Sequence, residues 1–145
     1  MNSHLTAIHR KKPSLPLRFL LSDKERAKAI RSGPTIDWGC GRGADASFLG
    51  CRKYDPYWSP EMPKGKFACI LCFYVLNVIS EEEQEVILNQ MRKKLRKGGV
   101  IFIAVRRDMN ESYVSSRGTS QRLVYLDLPI LVDNSGFCLY QWRLK

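Results

Sequence analysis

The stretch 35-TIDWGCGRGADASFLGCRKYDPYW-58 decides the fold of this chain. A short apolar run ends in an acid, Asp37, and glycines then alternate at Gly39, Gly41 and Gly43. The segment ADASFLG follows with about two turns of helix-forming residues, and a second acid, Asp55, closes the next short strand, CRKYD. A strand that ends in a glycine-rich turn opening a helix brings backbone N–H groups and a helix N-terminus to a ligand. Glycine is needed there because a Cβ would hold the ligand away from the chain. The run GCGRGA also satisfies G-x-G-x-x-A, the dinucleotide fingerprint, in which an acid about 20 residues further on holds a ribose. The loop alone leaves the ligand open.

Its surroundings narrow the choice. Asp37 stands two residues before the first glycine, at the end of its strand. A buried carboxylate there suits a cationic or amino-bearing ligand better than a pyrophosphate. Only one glycine-loop half is present, so the two-half dinucleotide pattern is incomplete. After the Gly-Gly-led strand VIFIAV, the chain closes with an expected two-strand hairpin.

Further out, SDKERAKAIRSG reads as a short helix with Ser22 as cap and Glu25 completing a capping box. KFACILCFYVLNVI reads as one long strand buried on both faces. SEEEQEVILNQMRKKLRKGG is the clearest helix: Ser80 caps it, Gly98-Gly99 ends it, and Val86, Ile87, Met91 and Leu95 form its apolar face. VIFIAVRRD, QRLVYLDLP and FCLYQWRL follow as strands, the last two separated by the turn DNSG. The order β-α-β-β-α-β-β-β predicts a three-layer α/β fold.

Composition sets the outer bounds. The chain has 145 residues, 44% hydrophobic and 26% charged, the balance of one soluble globular domain. No apolar run approaches the roughly 20 residues that span a bilayer, and LPLRFLLS is too short and too interrupted by Arg18 for a signal peptide. A cytoplasmic protein is expected. Five scattered cysteines are no disulfide framework, and Cys69 and Cys72 read as core thiols. His4 and His9, both in the polar leader, make histidine catalysis or a metal site unexpected.

The net charge of +10 favours polyanionic partners, nucleic acid first. Residues 1–33 carry eight of the basic residues (Arg10, Lys11, Lys12, Arg18, Lys24, Arg26, Lys28 and Arg31) against Asp23 and Glu25. Residues 1–21 are expected to form a basic, mobile arm ahead of a single domain over 22–145. The second basic cluster, MRKKLRKGG, reads as favourable charge at a helix C-terminus.

On these residues the chain resembles class I S-adenosylmethionine-dependent methyltransferases, and is similar to small phage-type members with a VLNVI…VRRD pattern. DWGCGRG resembles the family's first motif, with Asp37, Gly39, Gly41 and Gly43 in the matching places. Asp55 falls where the family's acid holds the ribose hydroxyls. FACILCFYVLNVI resembles the strand leading into the catalytic motif, and LRKGGVIFIAV the helix–Gly-Gly–strand unit. The resemblance covers residues 34–145. It implies a Rossmann-like sheet, S-adenosylmethionine as cofactor and S-adenosylhomocysteine as product. Cofactor contacts are implied for Asp37, Gly39, Cys40, Gly41, Gly43, Asp55, Pro56, Tyr57 and Tyr74.

The catalytic side is assigned to Asn77, Arg106 and Arg107, at the carboxyl ends of the two central strands, where open α/β sheets bind ligands. The arginines can clamp phosphates or a carboxylate, and Asn77 can orient a substrate amino group. Each also has a plain structural reading: strand-end ion pairs with Asp108 or Glu111, and a turn-capping Asn.

One departure stands out. Only Pro56 to Lys66, eleven residues, separate Asp55 from the next strand, where full-length relatives fit a helix, an edge strand and another helix. The sheet is expected to lack its outer third strand and keep the order 2-1-4-5-7-6 in the family's strand numbering. Tyr57 and Trp58 can stack on the cofactor's adenine or cover the bared sheet edge, and a homodimer or protein partner is expected to complete the open side. The expected function is methyl transfer to a DNA or RNA base. The alternative is a non-catalytic module that keeps the fold and binds nucleic acid or a protein complex. A nicotinamide enzyme would need the missing second half.

Overall fold

Side-chain alternation along two strands builds both cores of the molecule. A computed structural model describes residues 12–116 and 118–145. In β4 (Leu95–Arg106), Ile101, Ile103 and Val105 face one core, while Val100, Phe102 and Ala104 face the other. In β3 (Phe67–Phe73), Ile70 and Cys72 are likewise separated from Cys69 and Leu71. A strand apolar on both faces needs a layer on each side. On one side Leu17 and Leu20 of α1 (Leu15–Leu21), Ile30 of α2 (Lys24–Ser32) and Leu49 of α3 (Ala44–Leu49) supply it. On the other, Leu88 and Met91 of α4 (Glu81–Lys94) do so.

The sheet has six strands in the order β2-β1-β3-β4-β8-β7. β1 (Thr35–Trp38) lies parallel to β2 (Arg52–Tyr54) and to β3, and β3 is parallel to β4. β8 (Phe137–Arg143) then runs antiparallel to β4, and β7 (Ile130–Asp133) antiparallel to β8. This is the expected order without the third strand, so β2 is the edge. The chain leaves β1 towards β2 and re-enters on the other side of β1, which makes the carboxyl ends of β1 and β3 the topological switch point.

Several local expectations are corrected. The domain begins before residue 22: Ser14 caps α1, whose Leu17 and Leu20 are fully buried, so only residues 1–11 of the expected arm lie outside the described residues. Asp23, not Ser22, caps α2, because the Ser22 hydroxyl instead donates to the Phe19 carbonyl at the end of α1. The long strand over KFACILCFYVLNVI stops at Phe73; Tyr74 takes a left-handed φ of 62°, and Leu76–Val78 form one buried 3-10 turn. Apolar continuity cannot distinguish a strand from a buried turn.

The C-terminal half shifts in the same way. α4 ends at Lys94 rather than at the glycines, since Leu95 pairs with Phe67 and already belongs to β4. Its buried face uses Leu88, while Val86 is exposed. In QRLVYLDLP only Gln121 is in a strand: β6 (Ser120–Gln121) forms a separate hairpin with β5 (Tyr113–Val114), and β7 provides the sheet edge instead. Cys69, Cys72 and Cys138 are buried and free, as core thiols should be. Among the described residues no group of histidine, cysteine and acidic side chains could hold a metal, and no helix is long and apolar enough to cross a membrane.

Candidate functional site

The glycine loop is folded back onto the end of β2. The amides of Gly39 and Cys40 donate to the Tyr54 carbonyl at 2.7 and 3.1 Å, and the Gly43 amide donates to the Cys40 carbonyl at 2.9 Å. The Gly41 amide donates to Asp55 Oδ2 at 2.9 Å. Asp55 Oδ1 accepts from the amides of Tyr57 and Trp58 at 2.9 and 3.0 Å. Asp55, expected to hold a ribose, therefore also locks the loop and its own turn, which the paired backbones of Asp55 and Ser59 close. A carboxylate offers about four lone-pair sites. Three of those of Asp55 are occupied within the chain.

Gly39 is where the two loops of the switch point touch. Its φ is +74°, and a Cβ there would lie 2.3 Å from Val75 Cγ2. Gly39→Ala should cost roughly 2–5 kcal/mol, combining overpacking and a left-handed alanine. Adding Val75→Ala should recover only the steric share, which denaturant melts of the single and double variants would resolve.

Asp37, the penultimate residue of β1, stands beside this loop and is only 4% exposed. Burial is the main force that raises its carboxyl from 3.8 to about 8; the nearby charges of Asp45 and Asp55 add to it, and a hydrogen bond from the Ala46 backbone opposes it. Desolvation disfavours the ionised form of a buried acid. Cys40 is pushed up to about 11, first by burial and then by Asp37, so its thiol stays neutral. Three carboxylates thus surround the loop with no cation hydrogen-bonded to any of them among the described residues.

Asp45 is a site residue that the sequence reading missed. It stands in the first turn of α3 and accepts from the Ser14 amide at 2.8 Å and the Ser14 hydroxyl at 2.6 Å. An acid one position after a helix start is a visible cue. Its partner, 31 residues away, is not.

The turn after Asp55 carries Pro56, the exposed Tyr57 and Trp58. The Tyr57 and Trp58 rings meet edge-to-face at 5.0 Å, and the Arg42 guanidinium of the glycine loop lies 4.6 Å from the Trp58 ring centre. Tyr74, whose amide donates to the Ala104 carbonyl at 2.8 Å, begins the loop that reaches Gly39 through Val75. Asp37, Gly39, Cys40, Gly41, Gly43 and Asp55 are thus gathered in one place, with Pro56, Tyr57 and Tyr74 on the adjoining turns.

The three residues assigned to catalysis are held differently. Asn77 is fully buried; its Oδ1 accepts from the Arg106 amide at 2.7 Å, and its Nδ2 donates to the Arg122 carbonyl at 2.6 Å. Arg106 Nε pairs with Asp108 Oδ1 at 2.7 Å, while its Nη1 donates to the Tyr113 hydroxyl and to Gln121 Oε1 at 3.2 and 3.1 Å. Arg107 donates to the carbonyls of Arg106 and Val124 and to the Tyr140 hydroxyl, and lies 3.6 Å from Asp133 Oδ1. Its guanidinium also lies 4.3 Å from the Tyr125 ring centre. These side chains fasten the C-terminal segments to the end of β4. Arg106 makes the strand-end ion pair with Asp108, whereas Asn77 bridges two distant backbone groups and caps no turn of its own.

No protein-family model and no curated protein matches the chain. Among solved structures it is similar to a hypothetical protein of a Thermus species, at 16% identity and a TM-score of 0.53 over 93% of this chain and 88% of that one. It is also similar to coclaurine N-methyltransferase bound to N-methylheliamine and SAH, at 14% identity and a TM-score of 0.46. There the match takes in 70% of this chain and spans only 40% of the enzyme's length. N-methyltransferase NodS of Bradyrhizobium japonicum WM9 matches at 12% identity and a TM-score of 0.48, over 89% and 92% of the two chains. The strand order and the Thermus likeness give the fold: a Rossmann-like α/β sheet with its last two strands antiparallel.

Proposed function

We propose that this chain is an S-adenosylmethionine-dependent methyltransferase whose acceptor is a nucleic acid. The observation that carries the reading is Asp37: a buried carboxylate at the switch point, crowded by Asp45 and Asp55. A buried acid of this kind can ionise to meet a cationic ligand and offers nothing to a pyrophosphate, so the donor set fits the ammonium and sulfonium of S-adenosylmethionine. When bound, that cofactor supplies a methyl group on a good leaving group.

The chain's own residues then bind and orient. Asp37 takes the amino-acid end, ionising as the cation arrives. Asp55 holds the glycine loop in shape and keeps acceptor capacity for a ribose hydroxyl. Tyr57 and Trp58 offer aromatic faces on the side where the outer strand is absent, and a second chain would complete the wall there. Alignment of the acceptor supplies the rate, since a sulfonium needs little further activation. The net charge of +10 supports a polyanionic acceptor.

A second reading, a module that keeps the fold and binds without turnover, draws on a specific observation. Asn77, Arg106 and Arg107 are all engaged within the protein. Calorimetry with S-adenosylmethionine and S-adenosylhomocysteine separates the two. Micromolar binding, lost in Asp37→Ala and weakened at least tenfold in Asp55→Ala, together with labelled methyl incorporation into DNA or tRNA, is the expected result. Binding without incorporation selects the second reading. No heat at millimolar ligand overturns the methyltransferase reading and likewise favours the module, whose partner is then a nucleic acid or a protein complex.

A further inference from the structure

We propose that the rim of the sheet opposite the candidate site is a docking surface for the phosphodiester backbone of a nucleic acid. The two ends of the sheet differ in charge. The acids of α4, Glu81 to Glu83, lie in its first turn, and Asp37, Asp55 and Asp108 lie at or just beyond the carboxyl ends of β1, β2 and β4. At the other end, the start of β3 and the start of β4 are register partners through Phe67 and Leu95. The end of the chain joins them: the Gly98 amide donates to the Leu144 carbonyl at 2.8 Å, and the Leu144 amide to the Gly99 carbonyl at 3.0 Å. Lys64, Lys66, Lys93, Arg96, Lys97 and Lys145, from three separate parts of the sequence, thereby meet on one rim, and all six are exposed.

None of these cations is paired with an acidic side chain among the described residues. The salt bridges among the described residues, Arg26–Asp23, Arg106–Asp108 and Arg107–Asp133, involve none of them. No acid occurs in the sequence between Glu85 and Asp108, or after Asp133. Glu61 stands three positions before Lys64, and Asp23 and Glu25 line a groove with Arg143 on the α2 side.

The C-terminal dipole of α4 accounts for basic residues in its last turn. It does not account for Lys64, Lys66 and Lys145, nor for Arg96 and Lys97, which follow the helix on a strand. Two further cations, the exposed Arg92 and the half-buried Lys94, also pack against rings beneath the surface. Arg92 packs over the Trp142 ring at 5.4 Å, and Lys94 packs over Phe67 at 5.8 Å while donating to the Pro63 carbonyl at 2.9 Å. The six charges therefore project from a braced strand-end framework.

The chemistry selects nucleic acid over a lipid surface. A membrane-binding face sets apolar side chains beside its cations. Among the described residues, the exposed large hydrophobics nearest in sequence are Val86, about two turns before Lys93 on α4, and Tyr57 and Trp58, at the far end of the connection that carries Lys64 and Lys66; the others lie on other elements. β3 has seven residues; at about 3.3 Å per residue the rim and the candidate site are roughly 20 Å apart. The rim is therefore an anchor for a long polyanion, distinct from the place where methyl transfer is proposed, and it stands whether or not the chain transfers a methyl group.

The test is fluorescence anisotropy of the full chain with a labelled oligonucleotide of about 30 nucleotides, as DNA and as RNA, over a series of salt concentrations. Lys93→Glu/Arg96→Glu/Lys97→Glu is compared with Arg18→Glu/Lys24→Glu/Arg52→Glu, which removes equal charge from α1, α2 and β2. The wild type should bind with a steep salt dependence; the rim variant should bind at least tenfold more weakly, with its salt slope lowered by about 3. The control should lose less than threefold, and both variants should unfold cooperatively, the rim variant at a slightly lower midpoint because Lys93→Glu sets an acid at the C-terminus of α4. Equal weakening of the two variants, undiminished binding by the rim variant, absence of binding by the wild type, or tighter binding to phosphatidylserine vesicles than to either oligonucleotide would overturn the proposal. S-adenosylhomocysteine calorimetry on the same proteins reads the other site, so its failure would sink the proposed activity and leave the rim unaffected.

Discussion

Asp37→Asn should raise the unfolding midpoint of the ligand-free protein strongly at pH 9 and much less at pH 5. The folded protein holds the Asp37 carboxyl at about 8 against the ordinary 3.8, chiefly through burial and then through Asp45. Between those values the native state binds a proton that the unfolded chain has released. Stability therefore falls as pH rises from about 4 to about 8, and the penalty is fully present above that window. Asparagine has the same shape and cannot ionise. The gap between variant and wild type should open across the window and reach a few kcal/mol at its upper end.

A cationic ligand reverses the benefit. Because it favours the ionised carboxylate, its affinity for the wild type should climb with pH by up to tenfold per unit and level off near pH 8. Asp37→Asn should bind weakly and without that slope. Thermal melts of both proteins from pH 5 to 9, paired with S-adenosylhomocysteine titrations, read both effects. Parallel midpoints across the range would show that Asp37 is ionised in the empty protein after all.

Asn77→Ala should destabilise the protein by about 3 kcal/mol and loosen the segment around residues 113–124. The truncation strips partners from two backbone groups: the Arg106 amide, held at 2.7 Å, and the Arg122 carbonyl, held at 2.6 Å. It also removes one of the ties on the segment that Arg122 anchors through the carbonyls of Ile79 and Leu76 and through Gln84 Oε1. Hydrogen exchange should accelerate in the β5–β6 hairpin while β3 stays protected. A variant with wild-type stability and exchange but no methyl transfer would return Asn77 to the acceptor side, where the family resemblance puts it.

These two residues mark how far sequence patterns reach. Asp37 was legible because a strand, an acid and spaced glycines are a local arrangement. The role of Asn77 was not, because its partners lie 29 and 45 residues downstream. The same division explains Asp55, whose position after the second strand was readable but whose hold on the Gly41 amide depends on how two loops meet. It explains Arg106 and Arg107 as well: their adjacency at a strand end was readable, whereas their partners on the hairpin and on β8 were not.

Elements with a local cause could be read directly from the order of residues. The capped, dipole-matched α4, the doubly apolar β3 and β4, the glycine loop and the shortened 56–66 connection together imply a three-layer sheet missing its outer strand. Long-range contacts settled the rest. They turned residues 15–21 from arm into core helix, ended α4 at Lys94 by pairing Leu95 with Phe67, drew Asp45 to Ser14, and assembled six cations from three distant segments on one rim. Propensity and capping act over a few neighbouring residues, whereas pairing, desolvation and charge clustering depend on which surfaces the folded chain brings together.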